Sequence, residues 1–108
     1  MKTTFLATIA LILAVSTGLS QTTKESSFKP KDGFVPDAKT AVKIAEAVLV
    51  PVYGEKQIAS ERPFTGKLRG EIWTVEGTLN CAPDCEGGTA VVKISKTSGQ
   101  ILFMTHYK

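Results

Sequence analysis

The sequence is poor in the residues from which active sites are built. It holds one histidine, His106, and two cysteines, Cys81 and Cys85. Three such side chains fall short of the four ligands of a structural zinc. No G-x-S-x-G elbow, H-E-x-x-H helix, phosphate-cradling glycine loop or calcium-loop spacing occurs, and Asp84 with Glu86 supplies too few oxygens for calcium. Glu71 and Glu76, five apart on one expected strand, point to opposite faces and cannot act as a pair. Charge of one sign is also scarce. Thirteen basic residues against ten acidic give +3, falling to +2 if Lys2 is removed, and the cations are scattered without an aromatic-rich basic stripe. That pattern excludes a nucleic-acid partner. Together these shortages predict a non-catalytic protein without cofactor or metal.

Long apolar runs are missing except at the start. Lys2 is followed by the uncharged stretch from Phe5 to Val15 and then by Ser16-Thr17-Gly18-Leu19-Ser20. A positive start, an apolar centre and a small-residue exit, with Gly18 and Ser20 ahead of a cut before Gln21, make residues 1–20 a secretory signal peptide. The run is shorter than the ~20 residues of a spanning helix. No stable membrane insertion is therefore expected after cleavage, and the product is placed in the periplasm or outside the cell. Residues 21–33 are polar, Ser/Lys-rich and aperiodic, and read as a flexible leader. The folded domain is expected over 34–108.

Within it Pro36-Asp37 opens a helix, since Asp37 can cap free backbone N–H groups. Ala38, Ala41, Val42, Ala45, Val48, Leu49 and Val52 recur at three- and four-residue steps and form one apolar stripe. Pro51 is expected to kink the last turn, and Gly54 to end it. The period then changes to two. A weak strand is read at 57–62, with Pro63 marking an edge, and a second at 64–68 before an Arg69-Gly70 turn. Residues 71–79 alternate, with Trp73, Val75 and Leu79 on one face and Thr74, Glu76 and Thr78 on the other. Residues 89–95 turn Ala90, Val92 and Ile94 inward, and 101–106 close the sheet after a turn at 97–100. One N-terminal helix covering an antiparallel β-meander is an α+β two-layer sandwich.

In an exported chain the Cys81–Cys85 pair reads as a structural disulfide, and closing so short a loop contributes about 2 kcal/mol. A redox or metal role for the two thiols is the competing reading. The candidate recognition residues are Tyr53, Arg62, Trp73 and His106. Each has a plainer explanation. Trp73 suits a core anchor as well as an interface, Tyr53 can seal the helix end, Arg62 can be a solvated charge, and His106 has no carboxylate or nucleophile near it in sequence.

Taken in order, Ala41-Val42-Lys43-Ile44-Ala45-Glu46-Ala47, Pro51-Val52-Tyr53-Gly54-Glu55, Arg62-Pro63-Phe64, Ile72 to Leu79, Gly87-Gly88 and Lys96 to Ile101 resemble the NTF2 fold immunity protein family. The likeness runs from about Pro36 to the end of the sequence. It implies a bacterial protein that protects its maker by binding a toxin, and it transfers no catalytic residue. A full NTF2 cone has several helices, so the single helix read here implies a reduced, cystatin-like form. The Cys81–Cys85 loop looks like an insertion in that pattern. A PepSY-like or cystatin-like envelope module that inhibits or regulates a peptidase has the same element order and is the alternative. The sequence sets no oligomeric state.

Overall fold

A computed structural model of the chain describes residues 25–84 and 86–108. The expected signal peptide, the start of the leader and Cys85 lie outside the described residues. The elements are α1 (Ala38–Tyr53), α2 (Glu55–Ala59), β1 (Thr65–Arg69), β2 (Ile72–Glu76), β3 (Ala90–Ser95) and β4 (Ile101–His106). The strands pair antiparallel in sequence order, so the sheet is the expected meander. Helix α1 packs over β1, β2 and β3 on one face only, giving the α+β sandwich. Among the described residues no helix is long and apolar enough to cross a membrane.

Asp37 starts α1 as predicted. Its backbone is extended (φ −143°, ψ 166°), and its carboxylate accepts from the Thr40 N–H at 2.8 Å and the Thr40 hydroxyl at 2.7 Å. These two bonds hold the Asp37 carboxyl below its ordinary value, helped by the charges of Lys39 and Lys43. Ala41, Ala45 and Leu49 are fully buried, with Ala38, Val42 and Val48 packed beside them. The small alanines let the helix lie close to the sheet. The helix continues through Pro51 to Tyr53 and ends at Gly54 as expected, with the Gly54 N–H donating to the Val50 carbonyl at 2.8 Å. One detail differs: Val52 is 58% exposed, so the buried stripe stops before it.

The strand read at 57–62 is instead the helix α2, which ends at Ala59. Glu55, Lys56 and Gln57 are good helix formers, and Gly54 (φ 92°) reorients the chain so that Ile58 alone enters the core. The predicted β2 is also too long. Pairing stops at Glu76, after which the Gly77 N–H donates to the Ala90 carbonyl and the Thr78 N–H to the Glu61 carbonyl. Leu79 therefore leaves the sheet face that Trp73 and Val75 share.

The core contains Val35, Ile58, Phe64, Trp73, Val75, Ala90, Val92 and Ile94 with the α1 stripe. Val35 belongs to it because the segment before α1 is stitched to the β3–β4 turn. The Phe34 N–H donates to the Thr97 carbonyl and that of Val35 to the Lys96 carbonyl, while the Lys96 ammonium donates to the Asp32 carbonyl. Gly33 makes this approach possible, since it sits at φ 84° and a Cβ there would lie 2.4 Å from the Lys96 carbonyl oxygen. Gly33→Ala should therefore lower stability by about 1–3 kcal/mol, seen as an earlier urea midpoint with an unchanged slope.

Candidate functional site

Three surface or part-buried groupings carry polar chemistry. The first is built on Glu61, only 4% exposed although ionisable. It follows α2, where its N–H donates to the Ile58 carbonyl, and its carboxylate meets the sheet. The Ala90 N–H donates to it at 2.7 Å, Gln57 Nε2 at 2.9 Å and His106 Nε2 at 2.8 Å. His106 Nδ1 lies 2.8 Å from the Tyr107 carbonyl. The carbonyl and the carboxylate are both acceptors, so the two ring nitrogens of His106 each face an oxygen. The Tyr53 ring stands against the His106 ring, centroids 5.4 Å apart. Burial raises the Glu61 carboxyl's pKa, but the hydrogen bonds from Gln57, Ala90 and His106 and the His106 charge prevail, leaving it below its ordinary value. Among the described residues no group of three or more His, Cys, Asp or Glu side chains is placed to hold a metal ion. The Glu61–His106 pair bolts α2, the start of β3 and the end of β4 together.

His106 thus has the carboxylate partner that its sequence neighbourhood lacks, 45 residues away in the chain. Tyr53, the last residue of α1, packs its ring against His106. Trp73 is a core anchor, 7% exposed, with its indole N–H donating to the Val35 carbonyl at 2.8 Å, and it offers a partner little surface. Arg62 is not a lone solvated charge. It forms ion pairs with Glu46 on α1 and with Glu55 at 3.0 Å, and these bonds raise its pKa above the ordinary value. Cys81 is not a free thiol. Its neighbour Asn80 uses one amide nitrogen to tie the Ser60 and Arg62 carbonyls to the loop.

The remaining grouping was not singled out from the sequence. The sheet face away from α1 carries cross-strand rows set by the register. One row runs Lys67, Thr74, Lys93, Phe103, and another runs Arg69, Ile72, Ser95. Thr65, Glu76, Val91 and Thr105 form a third. A depression of about 540 Å³ spans this face and reaches Gly88, Thr89 and Tyr107 at the end of the sheet. Ile72 and Phe103 are 40% and 43% exposed. The Lys93 ammonium stands over the Phe103 ring, 5.6 Å from its centre. Alternation had already turned Thr74 and Glu76 outward, but the rows depend on strand register, which the sequence alone does not supply.

Residues 40–108 match the family model described as NTF2 fold immunity protein. The chain is also 30% identical over 74 residues to the uncharacterized protein YhhH of Escherichia coli (strain K12), a stretch covering 68% of this chain and 58% of that protein. The chain thus matches little more than half the length of this curated relative. No solved structure matches it.

Proposed function

This chain belongs to the NTF2 fold immunity protein family, and from that membership we propose that it neutralises a bacterial toxin by direct protein–protein binding. The family match over residues 40–108 carries the reading. It covers every strand and nearly all of α1, so the residues that define the family are those that build the folded domain. The geometry agrees with a binder. The Glu61–His106 pair is spent on holding elements together, and one face of the sheet is left uncovered by α1.

We further propose that the chain acts after export, directed by residues 1–20, and that Cys81 and Cys85 close a disulfide once outside the cytoplasm. The toxin is then one met in the envelope or beyond it. Co-expression with the protein encoded by the adjacent reading frame tests the whole reading. The full chain should restore growth and, once purified, bind that protein in the nanomolar range. A chain lacking residues 2–20 should bind equally well yet fail to protect. Absence of both binding and rescue by the full chain would overturn the proposal.

A further inference from the structure

We infer that the open sheet face around Lys67, Arg69, Lys93, Ile72 and Phe103 is the surface that receives the partner, and that the partner presents an acidic protein surface to it. This rests on the binding role proposed above and adds to it a place and a chemistry.

The first support is the charge pattern. Lys67 and Lys93 lie in one row with only Thr74 between them, which sets them two strand spacings, roughly 10 Å, apart. Arg69 is two residues along β1 on the same face. Against these three cations the same rows hold one carboxylate, Glu76. Among the described residues none of the three cations makes an ion pair, whereas Arg62 is engaged by two carboxylates of its own chain. The face therefore carries positive charge that the fold does not neutralise.

The second support is what lies between the charges. Ile72 and Phe103 are large, apolar and exposed, and Val91 makes an apolar floor in the neighbouring row. Apolar anchors within a charged frame are the composition of a protein interface rather than of a merely solvated surface.

These features select among occupants. Covering three cations with an apolar surface would strip their water without return, so the partner has to bring carboxylates. A second copy of this chain does not meet that need. A two-fold contact presses the same patch against itself, setting Lys67, Arg69 and Lys93 against their own equivalents. Carboxylates on the partner, with an apolar patch between them for Ile72 and Phe103, satisfy both halves of the face.

The test uses the full chain and the protein encoded by the adjacent reading frame, with affinity measured by calorimetry at several salt concentrations. All substituted side chains on the face are exposed, and matching thermal melts check that each variant folds. K67E/K93E should bind about 100-fold more weakly, with a flatter dependence on salt. Phe103→Ala should weaken binding while leaving the salt dependence as it was. Lys39→Glu, on α1 at the opposite side of the sheet, should stay within about twofold of the unmodified chain. Amide shifts on complex formation should concentrate at Thr74, Lys93 and Phe103. If the unmodified chain binds and K67E/K93E binds equally well, the partner docks elsewhere: this inference fails while the immunity role stands. A self-associated form in sedimentation whose contact is this face would also overturn it. If the unmodified chain does not bind the neighbouring protein and does not rescue growth, the immunity role fails and this inference with it.

Discussion

Glu61→Leu is expected to destabilise the domain by about 3–5 kcal/mol, enough to leave a domain of this size largely unfolded at 37 °C. The substitution does more than delete one contact. It leaves the buried Ala90 N–H without its acceptor, and it leaves Nε2 of His106, a side chain only 24% exposed, facing an apolar group. Gln57 loses its partner as well. Restoring shape without charge separates these contributions, so Glu61→Gln should retain part of the lost stability. The two variants also differ in acid. The folded carboxyl titrates below its unfolded value near 4.5. Its contribution is therefore complete above that pH and disappears as pH falls through the folded pKa. Urea unfolding between pH 6 and pH 3 should show the unmodified domain losing stability across that window, and Glu61→Gln losing distinctly less. Parallel curves would remove Glu61 from the account of acid sensitivity.

Trp73→Ala should cost about 3–5 kcal/mol. The indole fills the space between β1 and α1, with its ring carbon Cε3 close enough to Gly66 that a Cβ there would lie 3.6 Å from it. Its N–H also donates to the Val35 carbonyl, adding to the Phe34 and Val35 N–H bonds that hold the segment before α1 against the domain. Trp73→Phe keeps most of the bulk and gives up the bond to the Val35 carbonyl, which predicts a smaller loss of about 1–3 kcal/mol. Hydrogen exchange distinguishes the two effects. In Trp73→Phe, protection should fall first at Phe34 and Val35 while β3 remains protected. In Trp73→Ala it should fall throughout. Uniform loss in both would mean that the Val35 bond has no separate role.

Much of this fold is legible in the sequence because it depends on local periods. The α1 stripe follows from three- and four-residue steps, the Asp37 cap from one side chain, and β3 from the alternation of Ala90, Val92 and Ile94. What was not legible is either too short or too distant. Helix α2 is five residues long, barely more than one turn, and its two adjacent apolar residues, Ile58 and Ala59, give no period to read. The sequence alone offers only a weak strand at 57–62 there, with Pro63 marking an edge. The end of β2 is set by Gly77 and Thr78 turning to Ala90 and Glu61, long-range bonds that alternation continuing through Leu79 cannot reveal. Glu61 and His106 meet only because α2 and the end of β4 converge, and neither carries a local sign of the other. The open face lies between these cases. Outward positions are readable strand by strand, but the alignment of Lys67 with Lys93 is a property of register across three strands.

The stitching of residues 32–35 to the β3–β4 turn has a practical consequence for orientation. Strand β3 runs from Ala90, beside the cysteine-containing loop, to Ser95, beside Lys96 and Thr97. The polypeptide therefore enters the domain at one pole of the sheet, while the cysteine loop and Tyr107 occupy the other. A fluorophore, affinity tag or solid support attached ahead of residue 25 would hold the molecule by the turn pole. The cysteine pole would then face outward, as a display experiment or an immobilised binding assay requires. Attachment after Lys108 would place the same bulk beside Tyr107 and Gly88, at the rim of the face it was meant to leave clear.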